Sequence, residues 1–170
     1  GHKELTDVPL LFFGHSAGAG FGPTFAALYP QRTIAFVGYQ GGPAKENIAT
    51  LSHIPALLLA GGKDISVPRE LLENVWSSGR SANAPWTFAV EPDASHGDYP
   101  KNAQNLVISW SAAVIRHRLS PDARALRHVT EGTGRSVNNL PGEITSSHAA
   151  PVYKADAGRV PREQEARQGE

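Results

Sequence analysis

"PLLFFGHSAGAGFG", residues 9–22, runs from an apolar stretch into a glycine-rich one, with Ser16 at the break. Three readings compete for it: a nucleophile held in a sharp turn, a phosphate-binding glycine loop, or a serine that is merely small enough for a tight bend. A phosphate loop of the form G-x-x-x-x-G-K-[ST] needs a lysine that this stretch lacks. The dinucleotide fingerprint G-x-G-x-x-G, begun at Gly18 or Gly20, would end on Pro23 or Phe25. Gly14-His15-Ser16-Ala17-Gly18 does satisfy G-x-S-x-G, directly after an apolar run and before a segment of helical composition. Such a turn lifts the serine above the end of its strand and tolerates little bulk, so Gly14 and Gly18 are expected to leave room for the neighbouring strand and helix. It also aims the amide of the following residue, Ala17, at a developing oxyanion, helped by the helix N-terminus.

The chain around this stretch repeats the same alternation. Apolar runs occupy residues 8–13 (VPLLFF), 33–37 (TIAFV), 54–60 (IPALLLA) and 86–90 (WTFAV). None alternates cleanly between polar and apolar, which suits strands buried on both faces of a parallel sheet. Helical segments are expected at residues 25–29, 69–77 and 102–118. In the last of these, Leu106, Trp110, Ala113 and His117 recur at helical spacing. Strand alternating with helix predicts an α/β domain of about four parallel strands with flanking helices. Pro23 predicts either a kinked first helix or one whose regular part begins there.

A nucleophilic serine needs a base, and the base needs a carboxylate to orient it. The third run ends in "LLLAGGKDISVP", with Asp64 just beyond it, and the fourth in "FAVEPDASHGDYP", with His96 in the following loop. Ser16, Asp64 and His96 therefore fall at the carboxyl ends of separate strands, the edge where open parallel sheets place their sites. Ser, then Asp, then His is also the chain order of α/β hydrolases. Other histidines are less well placed. The side chain of His15, inside the turn, is expected to point away from the site; His53 precedes its strand, and His117 and His128 lie in or after the last helix. Glu91, Asp93 and Asp98 lie near His96 and remain alternatives to Asp64, which has the better topological position. His96 with Asp98 also reads as a metal pair, but no further His or acid cluster supports it, so no metal and no cofactor is expected.

Composition narrows the partners. The 170 residues suffice for one domain with a real core, and 40% hydrophobic with 19% charged residues describes an ordinary globular chain. Acids and bases balance at 16 each, so no net field draws the chain to nucleic acid or an anionic membrane. The absence of cysteine excludes disulfides and thiolate chemistry. No apolar run approaches the roughly 20 residues of a membrane helix. The polar start GHKELTD lacks a signal-peptide core, and any such peptide would precede residue 1, which leaves cytoplasmic and secreted locations open.

With GHSAG at 14–18, GGKD at 61–64 and ASHG at 94–97, residues 9–100 resemble the C-terminal half of a serine α/β hydrolase, of the esterase/lipase and dienelactone-hydrolase-like kind. More narrowly, "LAGGKD" followed by "VPRE", "APWTFAVEP" followed by "HG", and "PGEI" at 141–144 are similar to a bacterial group of hydrolases with a C-terminal extension. The resemblance implies Ser16 as nucleophile, His96 as base and Asp64 as its partner. It also implies a small-molecule acyl substrate, cleaved at an ester or related bond through an acyl-serine. In the family the nucleophile strand is the fifth of eight, and a loop upstream supplies a second oxyanion donor. We therefore expect residues 1–121 to form a partial α/β-hydrolase domain belonging to a longer protein, and the isolated chain to self-associate through an exposed strand edge. Residues 122–170 are expected to be an irregular extension, with the last dozen disordered. The rival expectation is a non-catalytic α/β-hydrolase-like binding module or truncated remnant.

Overall fold

The structure, a computed structural model, describes residues 6–119 together with His2 and Leu126. The expected extension at 122–170 lies outside the described residues except for Leu126, and so do the boundary at 121 and the PGEI stretch.

Apolar residues occupy consecutive positions in each run, so both faces of each strand must be covered. Four strands accordingly form one parallel sheet, side by side in chain order: β1 (Leu10–His15), β2 (Thr33–Tyr39), β3 (Ala56–Gly61) and β4 (Trp86–Glu91). On one face Val37 and Tyr39 of β2, with Leu57 and Leu59 of β3, pack in a cluster with Leu106, Trp110, Ala113 and Val114 of helix α4 (Gln104–Arg118). On the other, Phe36, Leu58 and Trp86 join Ala26 of α1 (Gly18–Leu28), Ile48 and Leu51 of α2 (Ile48–Leu51) and Trp76 of α3 (Arg69–Ser81). Leu57, Leu58 and Leu59 are each fully buried, and each such side chain contributes about 1.5–3 kcal/mol. The unbroken "LLL" is a strand with no wet face.

Several buried polar groups in these layers are paired. The Trp76 indole N–H donates to the Trp86 carbonyl at 3.0 Å, and that of Trp86 donates to the Ile54 carbonyl at 3.0 Å. Gly79 of α3 makes room for this arrangement, since a Cβ there would overlap the Trp86 ring. At the far end of α4, the buried Arg118 guanidinium donates to the carbonyls of Ile34 and Thr33 at 3.1 and 2.9 Å, tying the helix to the start of β2.

Of the two expectations for the first helix, regular structure starting near the proline is not met: it begins at Gly18 and carries Pro23 in its interior. Glycine and proline both disfavour a helix interior, and Pro23 removes one helical hydrogen bond. Packing decides instead: Ala19, Gly22, Pro23 and Ala26 make one buried stripe. Gly22 lets the helix settle on β1, where a Cβ would stand 2.7 Å from that of Phe12. β1 itself is an edge of the described sheet and is only half-buried, with Phe13 exposed. All four strands run the same way, so their carboxyl ends converge on one edge of the sheet.

Candidate active site

Ser16 stands between the last residue of β1 and the first turn of α1, with φ 52°. That left-handed conformation is costly for a residue with a Cβ and persists only where surroundings enforce it. Here the Ser16 amide donates to the Tyr39 carbonyl at 2.9 Å, and the Ala19 amide donates to the Ser16 carbonyl at 3.0 Å. Bulk is excluded nearby, but not symmetrically. A Cβ on Gly14 would overlap the Gly18 carbonyl, whereas one on Gly18 would meet nothing within 4 Å among the described residues. The expectation that Gly18 also leaves room is thus corrected: its carbonyl, not its missing side chain, shapes the turn. Ala17 is the residue that opens α1, and its amide is among those that helix geometry leaves without an intrahelical acceptor.

Asp64 sits in the loop between β3 and α3, and backbone hydrogen bonds lace that loop to the one after β4. The Gly62 amide donates to the Glu91 carbonyl at 2.8 Å, and the Lys63 amide to the Ala94 carbonyl at 2.9 Å. The paired glycines of GGKD permit this approach. A Cβ on Gly61 would lie 2.6 Å from the Ala94 oxygen, and one on Gly62 would overlap the backbone of Pro92. The Asp64 carboxylate, itself fully buried, divides its oxygens. Oδ1 accepts from the Ser66 and Val67 amides at 2.8 and 2.9 Å, while Oδ2 faces His96 Nδ1 at 2.8 Å. Burial pushes its pKa up, but the hydrogen bonds from His96 and the two amides outweigh this and hold it below the usual carboxylate value.

His96 completes the line, with Nε2 2.9 Å from Ser16 Oγ. An ionised carboxylate can only accept, so in the neutral ring Nδ1 carries the proton toward Asp64. Nε2 is left as the acceptor for the Ser16 hydroxyl. The structure therefore brings Ser16 and Asp64 each within hydrogen-bond reach of His96, from three strand ends.

The alternative acids are engaged elsewhere. The Glu91 carboxylate accepts from the Asn102 and Ala103 amides, the latter at 2.8 Å, at the start of α4. Asp93 forms an exposed pair with Lys63 at 2.8 Å. Asp98 accepts from the Ser95 amide at 2.8 Å and so shapes the histidine loop rather than its ring. Among the described residues no group of three or more His, Cys, Asp or Glu is arranged to hold a metal ion. No helix among them is long and apolar enough to cross a membrane.

His15 corrects another expectation. Its register partner is Tyr39, and the two-residue period of β1 puts its ring beside that tyrosine and beside His96, with centroids 5.6 and 5.2 Å away. It points toward the site rather than away from it. Gln40, just past β2, was not singled out from the sequence. Its buried carboxamide contacts His15 and both neighbours of His96. The available signal was a long polar residue closing an apolar run, in "TIAFVGYQGG".

No protein-family model matches the chain. A curated protein of Salmonella typhimurium named "Putative carboxymethylenebutenolidase" is 34% identical over 96 residues, which cover 51% of this chain and 36% of that protein. The crystal structure of a predicted CIB-like hydrolase from Thermoplasma acidophilum matches with a TM-score of 0.50 at 18% identity, over 62% of this chain and half of the other. The chain thus spans about a third of the curated relative's length, 36%, and 50% of the solved structure's. Sequence and fold together support the α/β-hydrolase superfamily.

Proposed function

We propose that this chain, with its α/β-hydrolase fold, carries the reacting groups of a hydrolase that cleaves an ester or related acyl bond through an acyl-serine. One observation carries the reading: His96 bridges Ser16 Oγ at 2.9 Å and Asp64 Oδ2 at 2.8 Å, each held at the end of a different strand. The name of the curated relative, a carboxymethylenebutenolidase, denotes action on a butenolide, itself a cyclic ester.

In this reading His96 Nε2 takes the hydroxyl proton as Ser16 Oγ attacks the acyl carbon. The imidazolium that forms is stabilised by the buried Asp64 carboxylate, which stays ionised. The Ala17 amide, at the N-terminus of α1, donates to the carbonyl oxygen as it gains charge. His96 then returns the proton to the departing alcohol, which leaves Ser16 acylated. Water enters, gives its proton to His96 and attacks the acyl carbon; the proton passes back to Ser16 Oγ as the acid departs. The strained φ at Ser16 has a use here, because it turns Oγ out of the strand and toward His96.

The test is covalent labelling. A fluorophosphonate probe should modify wild-type protein, and Ser16→Ala should abolish both labelling and hydrolysis of short p-nitrophenyl esters. Undiminished labelling of Ser16→Ala would remove the assignment.

A further inference from the structure

We propose that Gln40 is a positioning residue for His96, clamping the chain on both sides of the imidazole and fixing the protonation of the neighbouring His15. This rests on the reading of Ser16, His96 and Asp64 given above.

Gln40 is fully buried and stands just beyond the last residue of β2, with φ 50°. A buried carboxamide is costly unless its hydrogen bonds are made. Its Nε2 donates to the Ser95 carbonyl at 2.6 Å, and its Oε1 accepts from the Gly97 amide at 2.7 Å. Ser95 and Gly97 flank His96 directly, so one side chain grips the loop before and after the imidazole. The sheet is built to admit it: a Cβ on Gly61 would stand 2.6 Å from Gln40 Nε2. Glycine would relax the left-handed backbone at position 40 but would supply no clamp.

The same contacts settle which way the amide faces. A carbonyl only accepts and a backbone amide only donates, so Ser95 and Gly97 together assign Nε2 and Oε1. Oε1 also lies 2.9 Å from His15 Nε2, which must therefore be the donor. Asp64 requires the proton of neutral His96 on Nδ1, whereas Gln40 requires a proton on Nε2 of His15. Two imidazoles with centroids 5.2 Å apart are thus locked in opposite tautomers when both are neutral. Only His96 offers an unprotonated Nε2 to Ser16.

The experiment compares fluorophosphonate labelling rates of the full chain with those of Gln40→Ala, Gln40→Glu and Ser16→Ala, with circular dichroism to check folding. Misplacing a reacting group by an ångström costs about 100-fold. Gln40→Ala should therefore lower the maximal labelling rate by about that factor while half-saturation in probe changes little. In Gln40→Glu a protonated carboxyl offers one donor and one acceptor, as the amide does, but an ionised one cannot donate to Ser95. Its rate relative to wild type should therefore rise as pH falls. The titratable groups on the elements around position 40 are His15 from β1, which Oε1 contacts, Asp64 from the loop after β3, bonded to His96, and His96 and Asp98 from the loop after β4. All are present in both proteins and largely cancel in the ratio.

A folded Gln40→Ala labelled at the wild-type rate, or a Gln40→Glu ratio that stays flat with pH, overturns the clamp. If Gln40→Ala does not fold, the Gln40→Glu ratio decides alone. An unlabelled wild type, or a labelled Ser16→Ala, overturns the underlying reading and the clamp with it. That failure shows in the controls before any Gln40 variant is compared.

Discussion

The carbonyl oxygen of Gly18 occupies the place where a Cβ on Gly14 would have to go, while a Cβ on Gly18 would meet none of the described residues within 4 Å. The two glycines of the Ser16 turn should therefore respond differently to the same methyl group. Gly14→Ala should destabilise the fold by about 1–3 kcal/mol, the range for forcing volume into a packed site, and suppress labelling of Ser16. Gly18→Ala, at the start of a helix, should stay within about 1 kcal/mol of wild type and label normally. Urea denaturation and the fluorophosphonate assay on both variants separate the outcomes. Equal effects would mean that the turn is not shaped as described.

Asp64→Asn tests the orientation of His96. An amide at this position can present an N–H to Nδ1, which favours the tautomer that carries its proton on Nε2. The maximal rate of ester hydrolysis should fall by about 10⁴-fold, with KM changed far less. A loss confined to KM would point to substrate binding instead.

Acid stability follows from the same carboxylate. Its pKa is depressed in the folded state by His96 and the Ser66 and Val67 amides, despite burial. The stabilisation is therefore complete well above the unfolded value of about 3.9 and is lost as pH falls through the lower folded value. Denaturant titrations from neutral pH into acid should show wild type losing stability that Asp64→Asn lacks from the outset. The gap between them should narrow as pH falls; a gap that widens contradicts the assignment.

Tyr39 predicts a gain from a deletion. Its hydroxyl is buried with no hydrogen-bond partner among the described residues. Burial, with Glu91, Asp98 and Asp64 nearby, pushes its pKa up to about 12. Stranding a hydroxyl costs about 1–3 kcal/mol, so Tyr39→Phe should raise the urea midpoint. The sign with pH also follows. The unfolded phenol ionises near 10, so above that pH wild type should lose stability that Tyr39→Phe keeps.

The four strands were legible because their cause is local. "IPALLLA" and "WTFAV" have no polar face, and a strand with none must be covered on both sides. Asp64 and His96 were legible for a related reason: in a parallel sheet, being next after a strand puts a residue at the shared edge. The start of α1 was not legible, because Gly18, Gly20, Gly22 and Pro23 argue against a helix while the opposing term, a close fit of Gly22 on Phe12, is tertiary. The direction of His15 was not legible from the turn alone, because the two-residue period of β1 carries through to its last residue. Gln40 was invisible because its partners Ser95 and Gly97 lie 55 and 57 residues away, and nothing local marks a glutamine as a clamp.

The side-by-side order of the strands has a kinetic consequence. Each strand pairs with the one before it, so the sheet can grow by successive additions, each closing a comparatively short loop. The hydrogen bond between Ser16 and His96 spans 80 residues and forms only when β4 has docked. In the proposed role, therefore, Ser16 gains its base during refolding only once β4 and the loop after it have docked. The onset of fluorophosphonate labelling should time that docking step.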